Sequence, residues 1–297
     1  MGKASRTKSE ATRREKIAAQ RAAAHKAETR RRMLITGGSI LAVVAIVVAF
    51  VVVKSLGSSS TPQHSSAGGT PLPASVVNDI TGVPASTAEA VGRGSTAPKS
   101  IIPLNGAPLI KSGKPEVVYI GAEYCPYCAA ERWAMAVALS RFGTFSGLRG
   151  IHSSSSDAFP STSTLTFYKT GYNSKYLVFT PVETTTEDRN TPLQKTTAAQ
   201  QALLNKYDAP PYVSQQNAGA IPFIDFGNKY LISGASYNPA VLQGKTWSEV
   251  AAALSNPSSP VSQGAVGAAN VMTATICKLT NNQPATACTP AIQKLEG

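Results

Sequence analysis

The chain has 297 residues, and its 28 Lys and Arg against 16 Asp and Glu give a formal net charge of +12. Residues 1–32 hold 11 of the basic and 3 of the acidic residues, so most of the positive charge belongs to this tail. This distribution excludes a uniformly basic domain, and the length allows one sizeable domain with appendages or two small domains.

An apolar run without charges follows the basic tail at residues 33–53, directly after Arg30, Arg31 and Arg32. A helix of about this length crosses a hydrocarbon core of roughly 30 Å. No small-x-small cleavage site closes the run, so it predicts a single retained transmembrane helix. The positive-inside rule then places residues 1–32 in the cytoplasm and the rest of the chain outside, anchored in the cell membrane.

A partly helical tail and a linker are predicted to flank this helix. Residues 1–32 form a basic cytoplasmic tail rich in helix-forming residues, which we expect to bind anionic lipid headgroups. The tail has no aromatic residue for base stacking, so specific nucleic-acid binding is the weaker interpretation. Residues 54–75, rich in Ser, Thr, Gly and Pro, are predicted to be a flexible linker to an extracytoplasmic domain of residues 76–297.

The pattern of this domain predicts mixed helices and strands, centred on a strand at residues 116–120 and a largely buried helix from Pro126 to about Gly143. Residues 219–232 predict a hairpin with a Gly227-Asn228 turn. The other predicted elements are short helices within 74–91, strands near 101–104, 106–110, 148–152, 164–168 and 175–180, a turn at 171–173, and helices within 192–207, 247–254 and 266–276.

A Cys-Pro-Tyr-Cys motif, Cys125 to Cys128, joins the predicted central strand to the predicted buried helix. If Cys125 caps the helix, Pro126 takes the first helical position, where a missing N–H costs nothing. The Cys125 sulfur then faces free backbone N–H groups and the positive end of the helix dipole, which favour the nucleophilic thiolate. Cys128 lies one turn later on the same edge. The motif therefore predicts Cys125 as the attacking and Cys128 as the resolving thiol of a thiol–disulfide oxidoreductase, with a structural disulfide or half a zinc site as alternatives.

A Cys-Pro-x-Cys helix start followed far downstream by Ile221-Pro222 at the head of a hairpin resembles the thioredoxin superfamily. The resemblance implies an α/β thioredoxin-like fold with a subdomain inserted around residues 152–215. It also implies that Pro222 is cis and catalytic, and that the Ile221 backbone binds an extended substrate over Cys125. An ordinary trans proline is the alternative. Residues 120–133 are further similar to an uncharacterised family of membrane-anchored, thioredoxin-like bacterial proteins, which implies no substrate.

The chain departs from the thioredoxin pattern six residues before the first cysteine, where thioredoxins bury an aspartate and this chain has Tyr119. Glu123 is the nearest acid in sequence and is therefore a candidate proton acceptor for Cys128, although a solvated Glu is the simpler interpretation. Pro126 and Tyr127, between the cysteines, are expected to shape the surface that meets the substrate.

The two remaining cysteines, Cys277 and Cys288, are predicted to form a structural disulfide, because neither begins a helix in a C-x-x-C motif. A second redox pair and a four-cysteine zinc site are weaker alternatives. The expected partners are exported cysteine-containing proteins and a membrane redox partner for recycling, with no metal and no cofactor. The alternative function is a non-catalytic thioredoxin-like binding module with structural disulfides.

Overall fold

The computed structural model describes residues 67–295. The predicted cytoplasmic tail (1–32), the predicted transmembrane helix (33–53) and most of the predicted linker (54–75) lie outside the described residues. Within residues 67–295, no helix is long and apolar enough to cross a membrane.

The described residues form a mixed α/β structure of eleven strands and seven α-helices. The strands are β1 (Thr70–Pro71), β2 (Ile102–Pro103), β3 (Ile110–Lys111), β4 (Lys114–Gly121), β5 (Gly143–Ser146), β6 (Arg149–His152), β7 (Ser163–Thr166), β8 (Gly171–Ser174), β9 (Val178–Glu183), β10 (Phe223–Phe226) and β11 (Tyr230–Ser233). The helices are α1 (Ala74–Thr81), α2 (Ala85–Val91), α3 (Pro126–Ser140), α4 (Ala198–Tyr207), α5 (Trp247–Leu254), α6 (Gly267–Leu279) and α7 (Pro290–Gln293). A 3₁₀ helix (Pro239–Leu242) precedes α5, and a π-helical turn (Ser262–Val266) leads into α6.

Strand β4 is the centre of the main sheet. It pairs in parallel with β9 on one side and antiparallel with β10 on the other. The sheet continues antiparallel from β10 through β11 to β2, which gives the order β9-β4-β10-β11-β2. The short β3 pairs with the first residues of β4. As expected for a strand with neighbours on both sides and both faces covered, residues 117–121 of β4 are all buried.

Successive residues of β4 pack into two separate hydrophobic clusters, one on each face of the sheet. Val117 and Tyr119 belong to the cluster that includes side chains of α1, α3, α5 and α6. Val118 and Ile120 pack with Tyr207, at the end of α4. Helix α3 is buried along residues 128–139, so the segment that follows the cysteine motif is held inside the domain.

The four strands between α3 and β9 in the chain, β5 to β8, belong to two small sheets. In one, β5 pairs with β8, and in the other β6 pairs with both β1 and β7. Two predictions are wrong here. Residues 171–173 belong to β8 rather than to a turn, because pairing with β5 overrides their local turn preference. The predicted insertion at residues 152–215 is interrupted by β9, which belongs to the main sheet.

The folded domain begins before the predicted boundary at residue 76, so the end of the predicted linker is wrong. Thr70 and Pro71 pair with β6, and the Arg149 side chain donates hydrogen bonds to the carbonyls of Gly68 and Gly69. Gly69 has a φ of +67°, and a Cβ there would lie 2.3 Å from the Gly150 carbonyl oxygen. Glycine is therefore needed at position 69 because two chain segments approach closely there, and not because the segment is flexible.

The strongest local predictions are confirmed. The strand at 116–120 lies within β4, the helix begins at Pro126, and β10 and β11 form the expected hairpin. Gly227 and Asn228, in the hairpin turn, have φ values of +65° and +59°, in the left-handed region that this turn needs. The predicted disulfide joins Cys277, in α6, to Cys288, which precedes α7.

Candidate active site at the start of a buried helix

Cys125 lies at the N-cap of α3, just beyond the carboxyl end of β4. Its Sγ accepts a hydrogen bond from the backbone N–H of Cys128 over 3.2 Å. Pro126 occupies the first turn, where it displaces no helical hydrogen bond. The predicted cap geometry is therefore confirmed, and the sulfur lies at the positive end of the helix dipole.

The two cysteines carry free thiols in contrasting electrostatic environments. Cys125 is 4% exposed, whereas Cys128 is fully buried. A hydrogen bond from the Cys128 side chain lowers the pKa of Cys125, against the opposing effect of burial, and the Cys128 N–H and nearby Arg132 lower it further. Burial and the neighbouring Cys125 raise the pKa of Cys128 well above its usual value. This asymmetry suits one thiol to attack and the other to retain its proton.

The loop before β10 brings Ile221 and Pro222 to the cysteine pair. The Ile221–Pro222 peptide bond is cis, as the resemblance implied, so the trans alternative is wrong. The thiol of Cys125 donates a hydrogen bond to the Ile221 carbonyl oxygen at 3.6 Å. The structure thus brings together residues that are far apart in the sequence.

An open groove of about 580 Å³ begins at the cysteine motif. Tyr127, 42% exposed, contacts Phe159 edge-to-face at 5.8 Å between ring centroids. The residues lining the groove are Tyr127, Phe159, Asn217, Ala220, Ile221, Ser233, Gly234, Ala235, Tyr237, Asn238 and Pro239. None of these described residues is charged, so the groove suits an uncharged chain segment beside Cys125.

A buried ion pair next to the cysteines was missed by the sequence analysis. Arg132, one turn after Cys128, donates from Nε and Nη2 to the two oxygens of Glu183 at 2.8 and 2.9 Å. Both side chains are fully buried, and Nη2 also donates to the Ala122 carbonyl at 2.6 Å. The positive charge of Arg132 lowers the pKa of both thiols. The sequence did show a charged residue, Arg132, on a helix that was predicted to be buried, and this could have indicated a buried ion pair.

Glu123, the predicted proton acceptor, is buried and only 2% exposed, so the solvated interpretation is wrong. Burial raises the pKa of Glu123 to about 7, although a hydrogen bond with the Thr166 side chain acts in the opposite direction and lowers it. Its Oε1 has no hydrogen-bond partner among the described residues. Tyr119, six residues before Cys125, is fully buried. Proton transfer from Cys128 to Glu123 stays a prediction.

A second buried acid, Glu131, lies on α3 and was also missed. Its carboxylate accepts hydrogen bonds from the Ser236 backbone N–H at 2.9 Å and from the Ser236 hydroxyl at 2.6 Å. Burial raises the pKa of Glu131 to about 7. Sequence alone could not show this contact, because its partner follows the distant β11.

No cluster of three or more His, Cys, Asp and Glu side chains within residues 67–295 is placed to hold a metal ion. The fold and the site define a mixed α/β protein with a dithiol at the N-terminus of a buried helix. The chain belongs to a family described as a domain of unknown function (DUF929), whose model matches residues 101–278 and so includes the dithiol and the Ile221–Pro222 bond. No curated protein and no solved structure matches the chain.

Proposed function

We propose that the protein is a membrane-anchored, extracytoplasmic thiol–disulfide oxidoreductase that acts on cysteines of exported proteins. The observation that carries this proposal is the position of Cys125. Its sulfur receives the Cys128 N–H at 3.2 Å and lies 3.6 Å from the carbonyl that precedes the cis proline. A dithiol is thereby placed at a helix N-terminus, next to a backbone segment available to an incoming chain.

A thioredoxin-like fold is part of the proposal. It is supported by the order β9-β4-β10-β11, in which β4 and β9 are parallel and connected through α3, while β10 and β11 form an antiparallel hairpin. In this view β5 to β8 are additions to the core, inserted between α3 and β9. The membrane anchor rests on the apolar run at residues 33–53.

The proposed reaction is disulfide exchange in two steps. The Cys125 thiolate attacks one sulfur of a client disulfide, which forms a mixed disulfide and releases the other client sulfur as a thiolate. Cys128 then loses its proton and attacks the Cys125 sulfur, forming the Cys125–Cys128 disulfide and releasing the second client sulfur. The client disulfide is reduced and the protein dithiol oxidised. The reverse sequence introduces a disulfide into a client.

The buried charges beside the dithiol bear on the second step. Once Cys125 is bonded to a client, Cys128 must be deprotonated in a site that is closed to water. Arg132 lies one turn from Cys128, and its charge favours the thiolate. Glu183 holds the Arg132 guanidinium in place, so this charge has a fixed position.

The client is proposed to lie in the uncharged groove, with its backbone against Ile221. Cys125 borders the loop that supplies this residue, and Tyr127 lies both in the cysteine motif and in the groove wall. A redox partner in the membrane recycles the dithiol. The tail at residues 1–32 binds anionic lipid headgroups.

The test is the reduction potential of Cys125/Cys128 in the full chain with the Cys277–Cys288 disulfide intact. The protein is equilibrated in glutathione buffers, quenched by alkylation and analysed by mass spectrometry. A potential of about −120 mV marks an oxidant, and one of about −270 mV marks a reductant. A pair that never equilibrates overturns the proposal and leaves a binding module.

A matched pair of variants tests the roles of the two thiols. Cys128→Ser should accumulate mixed disulfides with an oxidised cysteine-containing probe protein, because the resolving thiol is absent. Cys125→Ser should accumulate few, because the remaining thiol is fully buried. Equal trapping by the two variants would contradict the assigned roles.

A further inference from the structure

The segment of residues 233–239, which joins β11 to the 3₁₀ helix, supplies most of the residues that line the groove. Hydrogen bonds attach it to several other parts of the domain, among them one from the Ala97 N–H to the Ser236 carbonyl at 2.8 Å. The Gly234 N–H donates to the Pro222 carbonyl at 2.8 Å, and the Tyr237 hydroxyl donates to the Ala130 carbonyl at 2.7 Å. The groove wall is therefore attached both to the cis proline and to α3.

A further attachment is made by Glu131, three residues after Cys128. Its carboxylate accepts both hydrogen bonds from Ser236, from the N–H at 2.9 Å and from the hydroxyl at 2.6 Å. Glu131 is fully buried and Ser236 is 2% exposed. Hydrogen bonds to a buried carboxylate are among the stronger ones in proteins, so Ser236 has a well-defined position.

Among residues 67–295, no cation forms an ion pair with Glu131 to offset its burial. The ion pairs of the described residues join Lys111 to Glu116, Arg132 to Glu183 and Arg189 to Asp157. An acid buried without a cation is costly, and an apolar side chain would fill the same helix position at lower cost. What the carboxylate adds is two acceptor oxygens for Ser236.

We propose that Glu131 is a positioning residue for client binding. Through Ser236 it fixes the groove wall relative to the helix that carries Cys128, so that a client held in the groove presents its sulfur to Cys125. This inference rests on the proposed oxidoreductase function. Loss of the contact weakens binding of clients that occupy the groove and leaves the chemistry of the dithiol intact.

The experiment compares two disulfide probes with the full chain. Oxidised glutathione is too small to depend on the whole groove, whereas a ten-residue uncharged peptide with one internal disulfide must lie along it. Ser236→Ala removes the hydroxyl donor, and Glu131→Gln replaces the carboxylate at nearly constant size. Ser262→Ala is the matched control, because Ser262 is a fully buried serine whose hydroxyl bonds to the Leu254 carbonyl outside the groove.

We expect Ser236→Ala and Glu131→Gln each to raise KM for the peptide about tenfold, with kcat changed less than twofold. The rate of exchange with oxidised glutathione should change less than twofold, and the reduction potential of the dithiol should stay the same. Ser262→Ala should change neither KM nor kcat for either probe. If Glu131→Gln does not fold, Ser236→Ala carries the test.

Equal losses with both probes would overturn the inference, because Glu131 would then support the dithiol or the fold in general. Unchanged KM for the peptide in both variants would overturn it as well. These results leave the proposed function standing, since wild-type protein still exchanges with both probes. A wild-type chain that exchanges with neither probe refutes the proposed function and the inference with it.

Discussion

Removal of Arg132 from its buried ion pair is predicted to be severely destabilising. In Arg132→Met, Glu183 would remain fully buried without its cation, and two hydrogen bonds of 2.8 and 2.9 Å would be lost. Breaking a buried pair in this way costs about 3–5 kcal/mol. The Ala122 carbonyl also loses its 2.6 Å donor, which adds about 1 kcal/mol or more. This loss is a large share of the roughly 5–15 kcal/mol that stabilises a typical domain.

The matched variants form a double-mutant cycle. Glu183→Met alone should cost a similar amount, because it leaves Arg132 buried and unpaired. The double variant Arg132→Met/Glu183→Met buries no uncompensated charge and should be within about 2 kcal/mol of wild type. Urea unfolding of residues 67–297, followed by circular dichroism, measures all four free energies. Additive losses in the double variant would refute the ion-pair account and indicate that packing alone matters.

Three further predictions concern single features of the domain. Because burial raises the pKa of Glu123 to about 7, the folded state keeps a proton that the unfolded state releases, so stability should fall by up to about 3 kcal/mol as pH rises from about 4.5 to 7. Glu123→Gln should remove this share of the pH dependence, measured by urea unfolding at pH 5 and 8, and an unchanged slope would contradict it. Changing Cys277 and Cys288 to Ser should lower the unfolding free energy by about 3 kcal/mol, by calorimetry, without altering the dithiol potential. Cys128→Ala should raise the pKa of Cys125, because the hydrogen bond from the Cys128 side chain is lost. The pKa is measured from thiolate absorbance as a function of pH, and the same titration curve in variant and wild type would show that this bond is unimportant.

Features that depend on neighbouring residues in sequence were predicted well. Cys125 and Pro126 carry the whole signal for the cap of α3, and Gly227-Asn228 carries the signal for the β10–β11 turn. The disulfide between Cys277 and Cys288 closes a short loop, so its two halves were visible together. In each case the residues that decide the structure lie within about one turn or one loop of each other.

Features that depend on distant partners were missed. Strand β8 has turn-forming residues and becomes a strand only because β5 is beside it. Arg132 and Glu131 were visible as charges on an apolar helix, but their partners lie 51 and 105 positions away. A sequence pattern indicates that a buried charged side chain needs a hydrogen-bonding or oppositely charged partner. It does not indicate which residue is that partner.

The adjacency of Glu131 and Arg132 also constrains how α3 can turn about its own axis. Successive residues of an α-helix project about 100° apart. The two side chains therefore bond to partners in different directions, Glu131 to Ser236 and Arg132 to Glu183. Two such anchors fix the rotational setting of the helix, and with it the direction in which Cys128 points. If the Cys-Pro-Tyr-Cys segment were transferred to another scaffold, the orientation of Cys128 would therefore be reproduced only if the partners of both anchors, Ser236 and Glu183, were transferred with it.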